Sequence, residues 1–277
     1  METFYFTDLD GGNRLDLENV VSVSGLGIAP ALLTMADRGY DVDGSEVTNA
    51  KYDARPFGIA WDVYDPLAVK QMRAIGAYFA GNKPKTFWHK RDDETPKCLT
   101  PVYLNAAVEW DLSSVPVKTL VMSFVAPEPW LKIILPYASA TFEDGALEFP
   151  LSIPETGVVL STATYKLTSS NAGDKLADTV IRFVGGAVQP YVTNTTTGES
   201  LSVNRTVASD EVLEINSATG RVDIIGADGT RHNAFNYLGA DDDFIHLAQG
   251  DNVLTFGAGS GTIGYMEVGA IAYYASV

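Results

Sequence analysis

Short apolar runs with period-two alternation dominate the chain. Phe57, Ile59, Trp61 and Val63 occupy alternate positions and predict a strand over 57–64 with one buried face. Residues 4–6 and 15–17 flank Asp10, Gly11, Gly12 and Asn13, a turn cluster that predicts paired strands. Residues 20–26 alternate, which puts Val21 and Val23 on one face, and 31–35 form another apolar run. Gly39 to Gly44 reads as a turn-rich loop. Further strands are expected at 85–89, 101–110 and 116–124, with a charged loop over 90–97.

One segment has helical spacing. Ala68, Met72, Ile75 and Phe79 form a single apolar stripe. Asp65 suits the N-cap, Pro66 the first helical position, and Gly81, Asn82 and Pro84 the stop. A helix over about 66–80 is expected, with its stripe against a sheet.

Pro127 and Pro129 interrupt the pattern and mark the end of a first domain, 1–130. Residues 131–156 read as a connecting segment with some strand content. From 157 to 277 the pattern changes to short strands with turn signals every 8–12 residues. Runs at 158–163, 179–184, 189–193, 200–203, 211–215, 221–225, 252–256 and 263–274 predict a β-sandwich. The fold class expected is all-β with one helix in the N-terminal half. The first domain is barrel- or sandwich-like.

Charge narrows the function. The net charge is −16 over 277 residues: residues 1–130 hold 12 basic against 18 acidic side chains, and 131–277 hold 7 against 17. A surface of that sign repels phosphate backbones and anionic lipid. Cys98 is the single cysteine, so an intrachain disulfide and polythiolate metal sites are excluded. It is expected to be a half-buried small residue. The N-terminus has no signal-peptide pattern, and no apolar run approaches the roughly 20 residues that span a bilayer. Folding in a reducing cytosol is expected, where the sequons at Asn194 and Asn204 carry no meaning.

Motifs that could carry chemistry fail their context. Gly259, Gly261 and Gly264 match a dinucleotide-binding spacing, but no helix follows them, and a hairpin turn is the better reading. Asp241, Asp242 and Asp243 are adjacent, whereas a calcium loop needs ligands at alternate positions. Asp8 and Asp10 fail similarly, because Gly12 stands where a third ligand is required. His89, His232 and His246 show no zinc-ligand spacing, and no nucleophile-elbow motif is present. No catalytic, metal-binding or cofactor-binding residue is expected. Trp61, Trp88, Trp110 and Trp130 all fall in the first 130 residues. They suit either core packing or a subunit interface.

Four stretches carry a family resemblance. Phe124, Pro127 and Trp130 resemble the junction that closes the first domain of the distal tail protein (Dit) family of long-tailed bacteriophages. Gly186, Pro190 and Gly198 resemble that family's first sandwich hairpin, and the stretch from Leu213 to Gly220 its second. Phe244, Leu247, Gly250 and Asn252 resemble its approach to the last strands. The resemblance implies a galectin-like C-terminal sandwich and a virion protein at the tail tip. It also implies a homohexameric ring that joins the tail tube protein to the tail-tip hub, often carrying receptor-binding proteins. Such a ring lets DNA pass without specific binding and contacts no membrane. The alternative is a carbohydrate-binding module or adhesin with a jelly-roll domain, in which Tyr191, Tyr237 and Tyr265 would stack on sugars. Because residues 131–277 contain no Trp, the sandwich is expected to be a docking scaffold and not a lectin.

Overall fold

The computed structural model describes residues 2–28, 31–37, 45–64, 68–92, 94–106, 109–110, 117–141, 165–260 and 265–276. Outside them lie the loop at 39–44, Asp65 and Pro66, residues 142–156 of the connecting segment, the strand at 158–163, and Gly261 and Gly264. The chain divides into two units, Met1–Ile133 with Tyr273–Val277, and Ile134–Ala272. The last five residues thus group with the first unit, whereas the sequence pattern assigned all of 157–277 to the second.

The first unit contains strands β1 (Glu2–Asp8), β2 (Leu15–Leu17), β3 (Val20–Ser24), β4 (Ala31–Asp37), β5 (Ser45–Tyr52) and β6 (Arg55–Tyr64). Helix α1 (Ala68–Phe79) follows, then β7 (Lys85–Arg91), β8 (Lys97–Leu104), β9 (Glu109–Trp110), β10 (Val117–Ala126) and the start of β11 (Leu131–Thr141). Antiparallel pairing runs from β2 through β1, β7, β8, β10 and β6 to β3. That path ends on β2 and β3 and does not close, so among the described residues the unit is an open sheet rather than a barrel. β9 pairs with β10, and β4 pairs with β5 as a separate hairpin.

Aromatic rings fill this unit. Phe6, Phe57, Phe87 and Phe124 are at most 3% exposed. Phe124 lies 4.9 Å from Phe6 and stacks on Phe57 at 5.2 Å. The helix contributes Phe79, edge-on to Phe6 at 5.0 Å. Each such pair adds about 0.5–1.5 kcal/mol beyond the area buried. Met72, Ile75 and Phe79 are buried as their spacing predicts, and the left-handed Gly81 and Asn82 end the helical segment. Phe57, Ile59 and Trp61 share the buried face of β6.

Three expectations change. A bulge between Val20 and Ser22 breaks the alternation of β3 and leaves Val21 60% exposed. The strand expected at 101–110 is two strands, because β8 ends at Leu104 and β9 pairs separately with β10. Cys98 is fully buried, and burial pushes its thiol up to about 12.

The second unit is a two-sheet sandwich. It comprises β12 (Tyr165–Asn171), β13 (Ala177–Val184), β14 (Ala187–Asn194), β15 (Ser200–Ser202), β16 (Thr206–Val207) and β17 (Val212–Asn216). It continues with β18 (Arg221–Ile225), β19 (Arg231–Asn233), β20 (His246–Leu247), β21 (Gly250–Ser260) and β22 (Tyr265–Tyr274). One sheet has the order β12-β21-β14-β15, with β16 also on β14. The facing strands run β19-β18-β17-β13-β22, with β20 on β13. β13 buries every second residue, as a half-buried strand requires. Ile181, Phe183, Val192, Leu213, Leu254 and Phe256 meet in a largely aliphatic core between the sheets.

Candidate functional site

The residues singled out by sequence resemblance work on the backbone. In the second unit, Asn252 is fully buried. Its Nδ2 donates to the carbonyls of Ala248 (2.7 Å) and Gly250 (3.0 Å), and its Oδ1 accepts from Ala248 N (2.9 Å) and Asn194 Nδ2 (3.1 Å). Asn194, also fully buried, donates to His246 O at 2.6 Å and accepts from Thr196 N at 3.0 Å. Asn171 donates to Leu247 O (3.0 Å) and Lys175 O (2.9 Å). Three amides thus satisfy backbone groups that have left the sheet ladders, a requirement for burying such turns. Gly250 permits the bend with φ +89°. Leu247 plugs the core beside it.

The structure therefore gathers Leu247, Gly250 and Asn252 at one end of the sandwich. Gly198 belongs to the adjoining turn, where its N–H donates to Asn194 O at 2.8 Å. Gly186 and Gly220 sit at separate turns, after β13 and before β18. Pro190 lies within β14 and accepts from Val203 N at 2.9 Å. Above the amides, the Glu199 carboxylate accepts from His246 N (2.7 Å) and lies 3.0 Å from His246 Nδ1.

In the first unit the junction centres on a residue the sequence pattern did not mark. Arg55 is 1% exposed. It donates to the carbonyls of Pro129 (2.6 Å), Gly27 (2.7 Å) and Ala275 (2.7 Å). Burial lowers its pKa, and no carboxylate among the described residues pairs with it. Phe124 lies in the aromatic core, Pro127 is exposed, and the half-buried Trp130 meets Tyr52 edge-on at 5.0 Å. Trp61 is core, and Trp88 stacks on Tyr5 at 5.8 Å. The Trp110 side chain lies outside the description.

Charged groups on the second unit form an ion ladder. The Glu214 carboxylate joins Arg182 (2.7 Å) to Arg231 (2.6 Å), and Asp223 joins Arg221 (3.0 Å) to the same Arg231 (3.4 Å). Burial raises the Glu214 pKa, but hydrogen bonds from Arg231 and Arg182 outweigh it and the net shift is downward. The triple-aspartate turn is a clamp, since Asp242 accepts from the backbone N–H groups of Ser202 and Gly239. Asp8 and Asp10 brace the β1–β2 turn through Asn13, Lys85 and Gly12. Among the described residues no group of three His, Cys, Asp or Glu side chains could hold a metal, and no helix is long and apolar enough to cross a membrane.

A groove of about 570 Å³ opens on the five-stranded sheet of the second unit, lined in part by Gln189, Tyr191, Asn204, Asn236 and Tyr237. Tyr265 is not among its lining residues and begins β22.

Residues 173–268 match the family model of the siphovirus-type tail component, C-terminal domain. The whole chain shares its fold with SPP1 Dit (gp 19.1), with 15% identity, 98% of each chain covered and a TM-score of 0.65. Chains of the phage p2 baseplate in its activated conformation are 11% identical, with full coverage and TM-scores of 0.56 with Sr and 0.57 with Ca. No curated protein matches the chain. The resemblance to the distal tail protein family is borne out, as is an all-β fold with one helix.

In the second unit, sequence reasoning found Asn252 but missed Asn194, which donates to it, and Asn171 as buried groups. Asn194 precedes the turn ending at Gly198 and reads from sequence as an ordinary turn residue. Its inward position in β14, two residues after the buried Val192, was the available signal.

Proposed function

We propose that this chain is a non-enzymatic structural protein of a phage tail tip. It forms a homohexameric ring that joins the tail tube to the tail-tip hub and the receptor-binding proteins. In this reading it is made in the host cytoplasm, resides in the virion, and lets DNA pass without binding it. The observation that carries the reading is the tail component domain set in a chain whose full length follows the fold of SPP1 Dit. That protein is described as a paradigm of the hub adsorption apparatus in phages that infect Gram-positive bacteria.

The first unit supplies features that suit ring building. Its sheet ends on β3, whose outer backbone groups have no neighbouring strand among the described residues. Val21 on that strand is 60% exposed, and Ile28 soon after is 75% exposed. An apolar sheet edge invites another strand, and a head-to-tail contact repeated around an axis removes it by closure. The acidic charge suits a channel for DNA. Negative-stain images of the purified chain, alone and mixed with tail tubes, test the proposal. Six-fold rings, free or at tube ends, are expected. Dispersed monomers that leave tube ends bare would contradict it.

A further inference from the structure

We infer that the groove on the five-stranded sheet of the second unit is a binding site for neutral hexopyranose sugars, with Tyr191 as its stacking platform. The alternation of β14 turns Pro190, Val192 and Asn194 inward and leaves Tyr191 on the outer face. Tyr191 pairs in register with Gly257 on β21 and Ser202 on β15. A Cβ at position 257 would lie 2.6 Å from the Tyr191 hydroxyl and 2.8 Å from its Cζ. Only glycine lets the ring lie down on the neighbouring strand. Held there, the ring has its position fixed before a ligand arrives, which lowers the ordering cost of binding.

Polar groups surround that platform. Gln189 adopts a left-handed φ of +54°, uncommon for a residue with a side chain, and donates from Nε2 to Asn204 Oδ1 at 2.7 Å. Asn204 N donates in turn to Tyr237 O at 2.9 Å, which ties the turn carrying Asn236 and Tyr237 to the sheet. Arg205 lies 5.2 Å from the Tyr237 ring centroid and steadies it further. The side chains of Asn236 and the hydroxyls of Tyr191 and Tyr237 have no hydrogen-bond partner among the described residues. The groove volume of about 570 Å³ falls in the range of small-molecule sites. No charged residue lines it among the described residues, although the chain carries a net charge of −16. A neutral ligand with one C–H face and many hydroxyls matches an aromatic ring flanked by amides. The absence of Trp, which argued against a lectin, is met by a tyrosine pinned flat on the sheet.

The inference concerns the second unit alone and stands whether or not the chain forms a ring. The test is titration of the full chain with lactose, maltose and cellotriose, followed by calorimetry and saturation-transfer NMR. Saturable binding of at least one sugar is expected, weakened about tenfold or more, some 1.4 kcal/mol, by Tyr191→Ala. Tyr191→Phe should retain most of it. Asn236→Ala lies on an exposed turn, leaves the fold intact, and should also weaken binding. No saturable binding of any of the three sugars would overturn the site. So would binding that Tyr191→Ala and Asn236→Ala both leave intact, or capture of a polypeptide in the groove with no response to sugars.

Discussion

The first unit closes its core with aromatic rings and a buried guanidinium, while the second closes an aliphatic core with three buried amides. Both devices answer one problem, backbone carbonyls and N–H groups that leave the sheet ladders and must still be paired. Arg55 does it with one cation serving the carbonyls of Gly25, Gly27, Pro129 and Ala275, from distant parts of the chain. Asn171, Asn194 and Asn252 do it with neutral groups, and Asn194 also donates to Asn252. The difference extends to the edges. The first unit leaves an apolar edge at β3, whereas the second spends its surface on an ion ladder and an uncharged groove. One unit is therefore suited to joining copies of itself, the other to meeting different molecules.

The largest effect is expected at Arg55. Arg55→Leu leaves its carbonyl partners buried and unpaired and should cost about 3–5 kcal/mol. Scanning calorimetry of the full chain should show the loss in the first unit's transition and leave the second unchanged. Next comes Asn252→Ala, which removes both an acceptor and a donor pair from a buried turn and should cost about 2–3 kcal/mol. That loss should fall on the second unit, and hydrogen exchange should locate it at residues 246–252. A single shared transition that both substitutions shift equally would break the comparison.

Acid should separate the units by smaller amounts. His89 is buried against Phe4 at 4.9 Å, its Nε2 has no hydrogen-bond partner, and burial lowers its pKa below the ordinary 6.5. The unfolded chain then binds the proton first, so stability is full above about pH 6.5 and falls as pH drops through the folded value. Glu214 has its pKa lowered below 4.5, because its arginine hydrogen bonds outweigh desolvation. Its contribution is present above that value and is lost only at lower pH. Melting curves across pH 3–8 should show the first unit weakening at higher pH than the second, and His89→Leu should flatten the first unit's response. The smallest effect expected is Arg231→Ala, about 0.5–1 kcal/mol, because Arg231 is half exposed and its ion pairs are screened. It should shrink further in high salt.

Periodicity made much of this fold legible. The buried faces of β6 and α1 follow directly from Phe57, Ile59 and Trp61 and from Met72, Ile75 and Phe79. β5 and β12 escaped because Ser45–Tyr52 and Tyr165–Asn171 are mostly polar, and a strand held by its neighbours needs little hydrophobic signal. β11 was read only as strand content within a connecting segment, because Pro127 and Pro129 break the pattern just before it. Val21 was misplaced because it is the extra, unpaired residue of a bulge, which strict alternation does not anticipate. In the candidate site, Tyr191 and Tyr237 could be named from sequence, but their sharing of a groove depends on the β15–β19 connections. Arg55 was illegible, since a basic residue at a strand start usually points to solvent.

The central claim is that the first unit's open edge builds the ring. Light scattering and native mass spectrometry of the full chain should give about six times 29.8 kDa, and Val21→Lys with Ile28→Lys should reduce it to the monomer without lowering the melting temperature. A hexamer that survives both lysines, or a closed assembly of another order, would contradict the account.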